Sequence, residues 1–198
     1  MADGVPDTET AILDAALAEV LDHGIRRTTA SDIARRCGIA RQTLYRYWPD
    51  AEAVFAALVT RELVAALPAE RGESADLDDL VGLLVETAVR VRDLPLVERL
   101  RDTDPELFAR YILDRLGTSQ RAIHAETARR LAAGRRAGFV REGDPVQQAA
   151  MVLLIAQSAV QSAPIVADWL PAEAWRSELT AALRGYLAPA GTTTGGRA

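Results

Sequence analysis

Lysine is missing from this 198-residue chain: all 23 basic residues are arginine, a bias that accompanies GC-rich coding and carries no mechanism. There is a single cysteine, Cys37, so no internal disulfide can form, and such thiol usage suits a reducing cytoplasm. Histidine is nearly absent, with only His23 and His124. No zinc-ligand spacing, phosphate-cradling glycine loop or GxSxG turn occurs, which argues against an enzyme and gives no reason to expect a metal or cofactor. Alternating apolar and polar residues bounded by hairpin turns are also lacking, so a β-sheet is not expected. The opening segment MADGVPDTET is acidic and has no apolar core of the kind a secretory leader needs. The longest stretch without a charge, residues 145–167, has the length of a membrane span. Gln147, Gln148, Gln157, Ser158, Gln161 and Ser162 would be costly in lipid, so it is expected to be a buried helix.

Arginine itself is unevenly placed. Residues 24–48 hold six arginines (Arg26, Arg27, Arg35, Arg36, Arg41, Arg46) against one acid, Asp32, while the whole chain carries a net charge of −5. A compact basic island in an acidic chain calls for a polyanionic partner. The same stretch reads as two short helices around a glycine turn. Thr29 can cap the first, with Asp32 three residues on as the acid of a capping box. Ile33, Ala34 and Cys37 make one inward stripe. Gly38 suits the left-handed position that ends a helix. Ile39 plugs the gap between the helices, Arg41–Tyr47 forms the second with Leu44 inward, and Pro49 stops it. Trp48 is expected in the core and Cys37 as a buried small hydrophobe. Tyr45 and Tyr47, two residues apart on a helix, cannot both face inward. Arg35 and Arg36 fit either a solvated face or a phosphate-binding one. Two helices joined by a tight glycine turn form the unit whose second helix enters the DNA major groove.

The residues Thr28-Thr29, Asp32-Ile33-Ala34, Gly38-Ile39, Thr43-Leu44-Tyr45, Tyr47-Trp48 and Glu52 closely resemble the N-terminal domain of the tetracycline-repressor (TetR) family of bacterial transcriptional regulators. The likeness covers about residues 8–60. It implies that Thr29, Thr43, Tyr45 and Tyr47 contact phosphate or base edges. Arg41 and Gln42 would reach bases, where Arg pairs best with guanine and Gln with adenine. Ser31 and Arg46 are further DNA-binding candidates. Two positions depart from the family: Ala40 replaces the serine that caps the recognition helix, and Ala51 replaces the lysine that begins the fourth helix.

The rest of the chain reads as helices over about 8–23, 50–67, 76–93, 96–102, 105–117, 118–137, 145–163 and 172–187. The expected fold is all-α with about nine helices: a helix-turn-helix domain over 8–50, a helical effector-binding and dimerisation domain over 51–188, and disordered tails at 1–7 and 189–198. The middle of the uncharged segment, Ala149–Ala156, is apolar all round, which implies cover on every side and hence a second subunit. A homodimer interface is expected at Ala149, Val152, Leu153, Ala156, Ala159 and Val160, matched by Leu179, Leu183 and Tyr186. Arg135 and Arg136 suit the C-terminal turn of their helix better than a second nucleic-acid patch.

The family resemblance further implies an effector pocket for an apolar or amphipathic small molecule. Leu84, Thr87, Ala88, Val91, Phe108, Tyr111, His124, Met151, Gln157 and Trp169 are its candidate walls, each of them also compatible with plain core packing. The function expected is a ligand-responsive regulator, commonly a repressor, binding a palindromic operator in double-stranded DNA as a dimer. Its competitors are a helical interaction dimer without DNA binding, and an enzyme.

Overall fold

A computed structural model describes residues 7–67, 72–103, 106 and 118–190. These residues contain nine α-helices and no strand: α1 Thr8–His23, α2 Ala30–Cys37, α3 Arg41–Tyr47, α4 Ala51–Ala65, α5 Leu77–Arg92, α6 Pro95–Thr103, α7 Thr118–Arg136, α8 Pro145–Ser162 and α9 Ala172–Leu187. A single 3-10 turn, Ile25–Arg27, joins α1 to the segment before α2. Apart from helical residue 106, the helix expected over 105–117, with Phe108 and Tyr111, lies outside the described residues, as do 1–6 and 191–198 of the expected tails.

Two compact units divide the chain: residues 1–65 with 93–119, and 66–92 with 120–198. Thus α4 and α6 group with the N-terminal helices, whereas the sequence suggested a boundary near residue 50. In the first unit α1 is central and packs on α2, α4 and α6. Ile12, Ala16 and Val20 of α1, Ile33 of α2, Leu44 of α3 and Val54 and Leu58 of α4 are buried in it, and Leu96, Val97 and Leu100 supply the inward face of α6. Asp50 starts α4 by accepting a hydrogen bond from the Ala53 amide at 2.7 Å.

In the second unit α5 packs against α8 and α9, which also pack on each other. Leu80, Val81, Leu131, Ala149, Val152, Trp175, Leu179, Leu183 and Leu187 form the core. Trp175 is buried, its indole N–H donates to the Ala159 carbonyl at 3.1 Å, and the Arg92 guanidinium lies 4.6 Å from its ring centroid. Gly134 lets the chain fold back at the end of α7: a Cβ there would come within 2.6 Å of both Phe139 and Val140. Arg135 donates to the Gly143 carbonyl at 2.6 Å, fixing the same turn. No helix among the described residues is long and apolar enough to cross a membrane.

Within its own chain α8 is covered on one side only. Gln148, Ala149, Val152 and Val160 are buried, but Val146, Gln147, Ala150, Met151, Leu154 and Ser158 are exposed within the chain.

Candidate nucleic-acid interface

The candidate interface is built on α2, α3 and the turn between them. Thr29 caps α2, and the capping box is complete. Its hydroxyl accepts from the Asp32 amide at 3.2 Å and donates to Asp32 Oδ2 at 2.6 Å, while the Thr29 amide donates to the same oxygen at 3.1 Å. These bonds, foremost the one from the Thr29 hydroxyl, hold the Asp32 carboxyl below the ordinary aspartate value, helped by Arg35 at 2.7 Å. Gly38 then takes φ 71°, a left-handed turn that lets its amide satisfy the carbonyls of Ala34 and Arg35. Ala40 offers α3 no side-chain cap. Leu44 is completely buried and anchors α3 by its inner face.

The outer face of α3 is polar and open. Arg41, Gln42, Tyr45, Arg46 and Tyr47 are all exposed, Thr43 is half-buried, and Ser31 is exposed on α2. Tyr47 tilts against half-buried Trp48, ring centroids 5.8 Å apart. Cys37 is half-buried rather than fully buried, and partial desolvation raises its thiol pKa. Apart from half-buried Thr43, the DNA-binding candidates of α2 and α3 are thus exposed, and so is Thr29 at the start of α2. The Thr29 hydroxyl proton is already given to Asp32. Since phosphate offers only acceptors, binding one through the Thr29 hydroxyl would turn its proton away from Asp32 and leave the two backbone bonds of the capping box in place.

Not all six arginines are available. Arg36 reaches back to α1, donating from Nε to Glu19 at 2.8 Å and from Nη2 to Asp22 at 2.5 Å. Both acids hold it charged by hydrogen bonding, Asp22 foremost. Arg36 thus clamps α1 to α2 while staying exposed, with Glu19 buried beneath it. The signal was in the sequence as an acid on the apolar face of α1, which a charge count over 24–48 does not see. Arg26 pairs with Glu106 at 3.0 Å and Arg35 with Asp32. Among the described residues Arg27, Arg41 and Arg46 pair with no carboxylate, so the positive charge concentrates on α3 and the turn leading into α2.

Residues 12–58, spanning α1 to α4, match the model of bacterial regulatory proteins of the tetR family. Mb2274c of Mycobacterium bovis, an uncharacterized HTH-type transcriptional regulator, is 43% identical over 181 residues, which are 91% of this chain and 95% of the relative. The chain belongs to the tetR family. It is therefore a transcriptional regulator with a DNA-binding helix-turn-helix. Two solved structures share the fold. The fatty acid degradation regulator FadR of Bacillus halodurans superposes with a TM-score of 0.65 at 20% identity, covering 92% of this chain and 96% of FadR. SmeT, the repressor of the Stenotrophomonas maltophilia multidrug efflux pump SmeDEF, gives 0.62 at 23% identity, covering 97% and 96%, and is also known in complex with triclosan.

The other residues expected at binding sites are placed as follows in this regulator. Ala149, Val152, Val160, Leu179 and Leu183 are buried in the core of their own chain, so a second subunit cannot reach them and they do not form a dimer interface. Leu153, Ala156, Ala159 and Tyr186 are half-buried, and the Tyr186 ring is covered by Arg141 at 4.4 Å. Of the candidate effector residues, Ala88 is buried and Leu84, Thr87, Val91, His124 and Gln157 are half-buried in the second unit. His124 Nε2 lies 3.0 Å from the Val146 carbonyl, and the Thr87 hydroxyl donates to the Leu83 carbonyl at 2.8 Å. Met151 and Trp169 are 43% and 83% exposed, which removes both from the walls of an interior cavity.

The cap makes a direct prediction. Thr29→Ala should lower stability by about 1 kcal/mol in urea unfolding. Because Asp32 is depressed in the folded state, its contribution is complete above the unfolded carboxyl range and is lost as pH falls through the lower folded value. In the variant the Asp32 carboxyl should titrate closer to the ordinary value of 3.8 by NMR. An unshifted Asp32 would show that Thr29 does not hold it.

Proposed function

We propose that this regulator binds a palindromic operator as a homodimer and releases it on binding a small apolar or amphipathic effector, acting as a repressor. The observation that carries the proposal is the outer face of α3. There Arg41, Gln42, Tyr45, Arg46 and Tyr47 are exposed together while Leu44 alone is fully buried, and neither exposed arginine is neutralised by an acid among the described residues. Arg41 and Gln42, in the first turn, suit guanine and adenine edges. Thr43, Arg46, Tyr47 and Ser31 suit phosphates, and Thr29 contributes by capping α2. Arg27 extends the phosphate-binding charge in place of the missing lysine at Ala51.

One recognition helix reads only a few base pairs, so selectivity needs two in fixed register. Support for the dimer comes from α8, where Gln147, Met151, Leu154 and Ser158 form one exposed stripe, with Leu154 at 60% exposure. The exposed residues Ala174, Glu178, Ala181 and Gly185 lie at the same spacing on α9, and most are small enough for close helix approach. This face, on the opposite side of α8 from the residues first expected, is where the second copy would bind. The effector would sit among Leu84, Thr87, Ala88, Val91, His124 and Gln157. SmeT, bound to triclosan, exemplifies a member of this fold that takes an apolar small molecule.

Selection of duplexes from a random pool by the purified protein tests the proposal. The expected product is an inverted repeat. With about 6–10 phosphate contacts per dimer, affinity should fall roughly 10³–10⁵-fold between about 50 and 200 mM salt. A pool that yields no common site, or a single unrepeated half-site, overturns it.

A further inference from the structure

Arg41 and Tyr45 stand one helical turn apart on the outer face of α3, and each is exposed. They are joined to each other. Arg41 Nε and Nη2 both donate to the Tyr45 hydroxyl oxygen, at 2.9 and 2.5 Å, and the guanidinium carbon lies 5.1 Å from the Tyr45 ring centroid. No carboxylate among the described residues competes for this guanidinium.

The donor geometry has a consequence. A guanidinium can give paired hydrogen bonds from a side edge, Nε with Nη2, or from an end edge, Nη1 with Nη2. The Tyr45 hydroxyl takes the side edge. We infer that Tyr45 is the positioning residue for Arg41, holding its guanidinium so that the end edge alone is offered to the O6 and N7 of a guanine. An unrestrained arginine must give up rotamer freedom when it docks on a base; one already fixed to its neighbour gives up less. The hydroxyl of Tyr45 accepts both bonds from Arg41, so its own proton stays available for a phosphate oxygen. Tyr45 thereby ties a backbone contact to a base contact, and the base preference of Arg41 depends on it.

This inference rests on α3 being the DNA reader, and the experiment separates the two. Binding is measured by fluorescence anisotropy at fixed salt, on a duplex selected by the wild-type protein and on its single-base-pair variants. The proteins are wild type, Arg41→Ala, Tyr45→Phe and the double variant. Arg41→Ala should erase preference at one base pair per half-site, a preference of roughly five- to 150-fold for a bidentate pair. Tyr45→Phe, which keeps the ring, should reduce preference at that same base pair, and the double variant should discriminate no less than Arg41→Ala alone. A Tyr45→Phe variant that weakens every duplex by one common factor would make Tyr45 a phosphate ligand only and overturn the inference. So would a loss of preference at a different base pair, or additive losses in the double variant. A wild-type protein with no preference among duplexes would remove the DNA-reading function itself, and this inference with it.

Discussion

Leu154→Glu should convert the regulator to a monomer and lower its affinity for the selected duplex by about 10²–10⁴-fold, the range lost when two linked contacts become independent. Leu154 is 60% exposed in the single chain, so the substitution removes little from the core of its own subunit. Circular dichroism should therefore be unchanged, while sedimentation velocity reports half the mass. The acid would sit in the middle of the stripe formed by Gln147, Met151, Leu154 and Ser158, and pairing two such stripes would bury two uncompensated charges. A variant that stays dimeric with full affinity would move the interface away from this face of α8.

Trp175→Ala is expected to be the most damaging single change to stability, by about 3–5 kcal/mol in urea unfolding at fixed protein concentration. Against a typical total of about 5–15 kcal/mol, this is a large fraction. The indole fills the space where α5, α8 and α9 meet, its N–H supplies a hydrogen bond to the Ala159 carbonyl, and Arg92 covers its ring. Trp175→Phe keeps most of the volume and loses that hydrogen bond, so it should cost only about 1 kcal/mol from the bond, plus a smaller packing loss. Equal losses in the two variants would mean that volume is not what Trp175 contributes.

What could be read from the sequence, and what could not, divides along a physical line. The capping box of Thr29 and Asp32, the left-handed Gly38, the uncapped Ala40 and the inward Leu44 all depend on residues within a few positions of each other, and all are found as expected. The limits of α1 and α9 match as well, because each has its start and stop within one turn of sequence. Contacts between distant residues were not legible. Arg36 is exposed, as one reading of it had it, but its pairing with Glu19 and Asp22, more than a dozen residues upstream, could not be read from the residues around it. The direction of α8 failed for a different reason. A helix apolar on every side has no polar face to set its rotation, and Ala149 and Val152 look no different in sequence from Met151 and Leu154. Only packing against α5 and α9 decides which stripe turns inward. Met151 was assigned to a pocket by the same ambiguity, whereas Trp169 lies in the connection after α8 and is 83% exposed. Phe108 and Tyr111 lie outside the described residues.

The first compact unit draws on two separate stretches of chain, with α6 from the second stretch laid against α1 of the first. Leu96, Val97 and Leu100 of α6 are buried there, and Arg99 donates to the Asp22 carbonyl near the end of α1. Engineers who transplant such readers between bodies to rewire gene circuits would therefore cut this one badly at residue 50. A chimaera carrying only that leading piece strips α1 of native cover, and the transplant must either bring α4 and α6 along or receive substitute helices with equivalent apolar side chains.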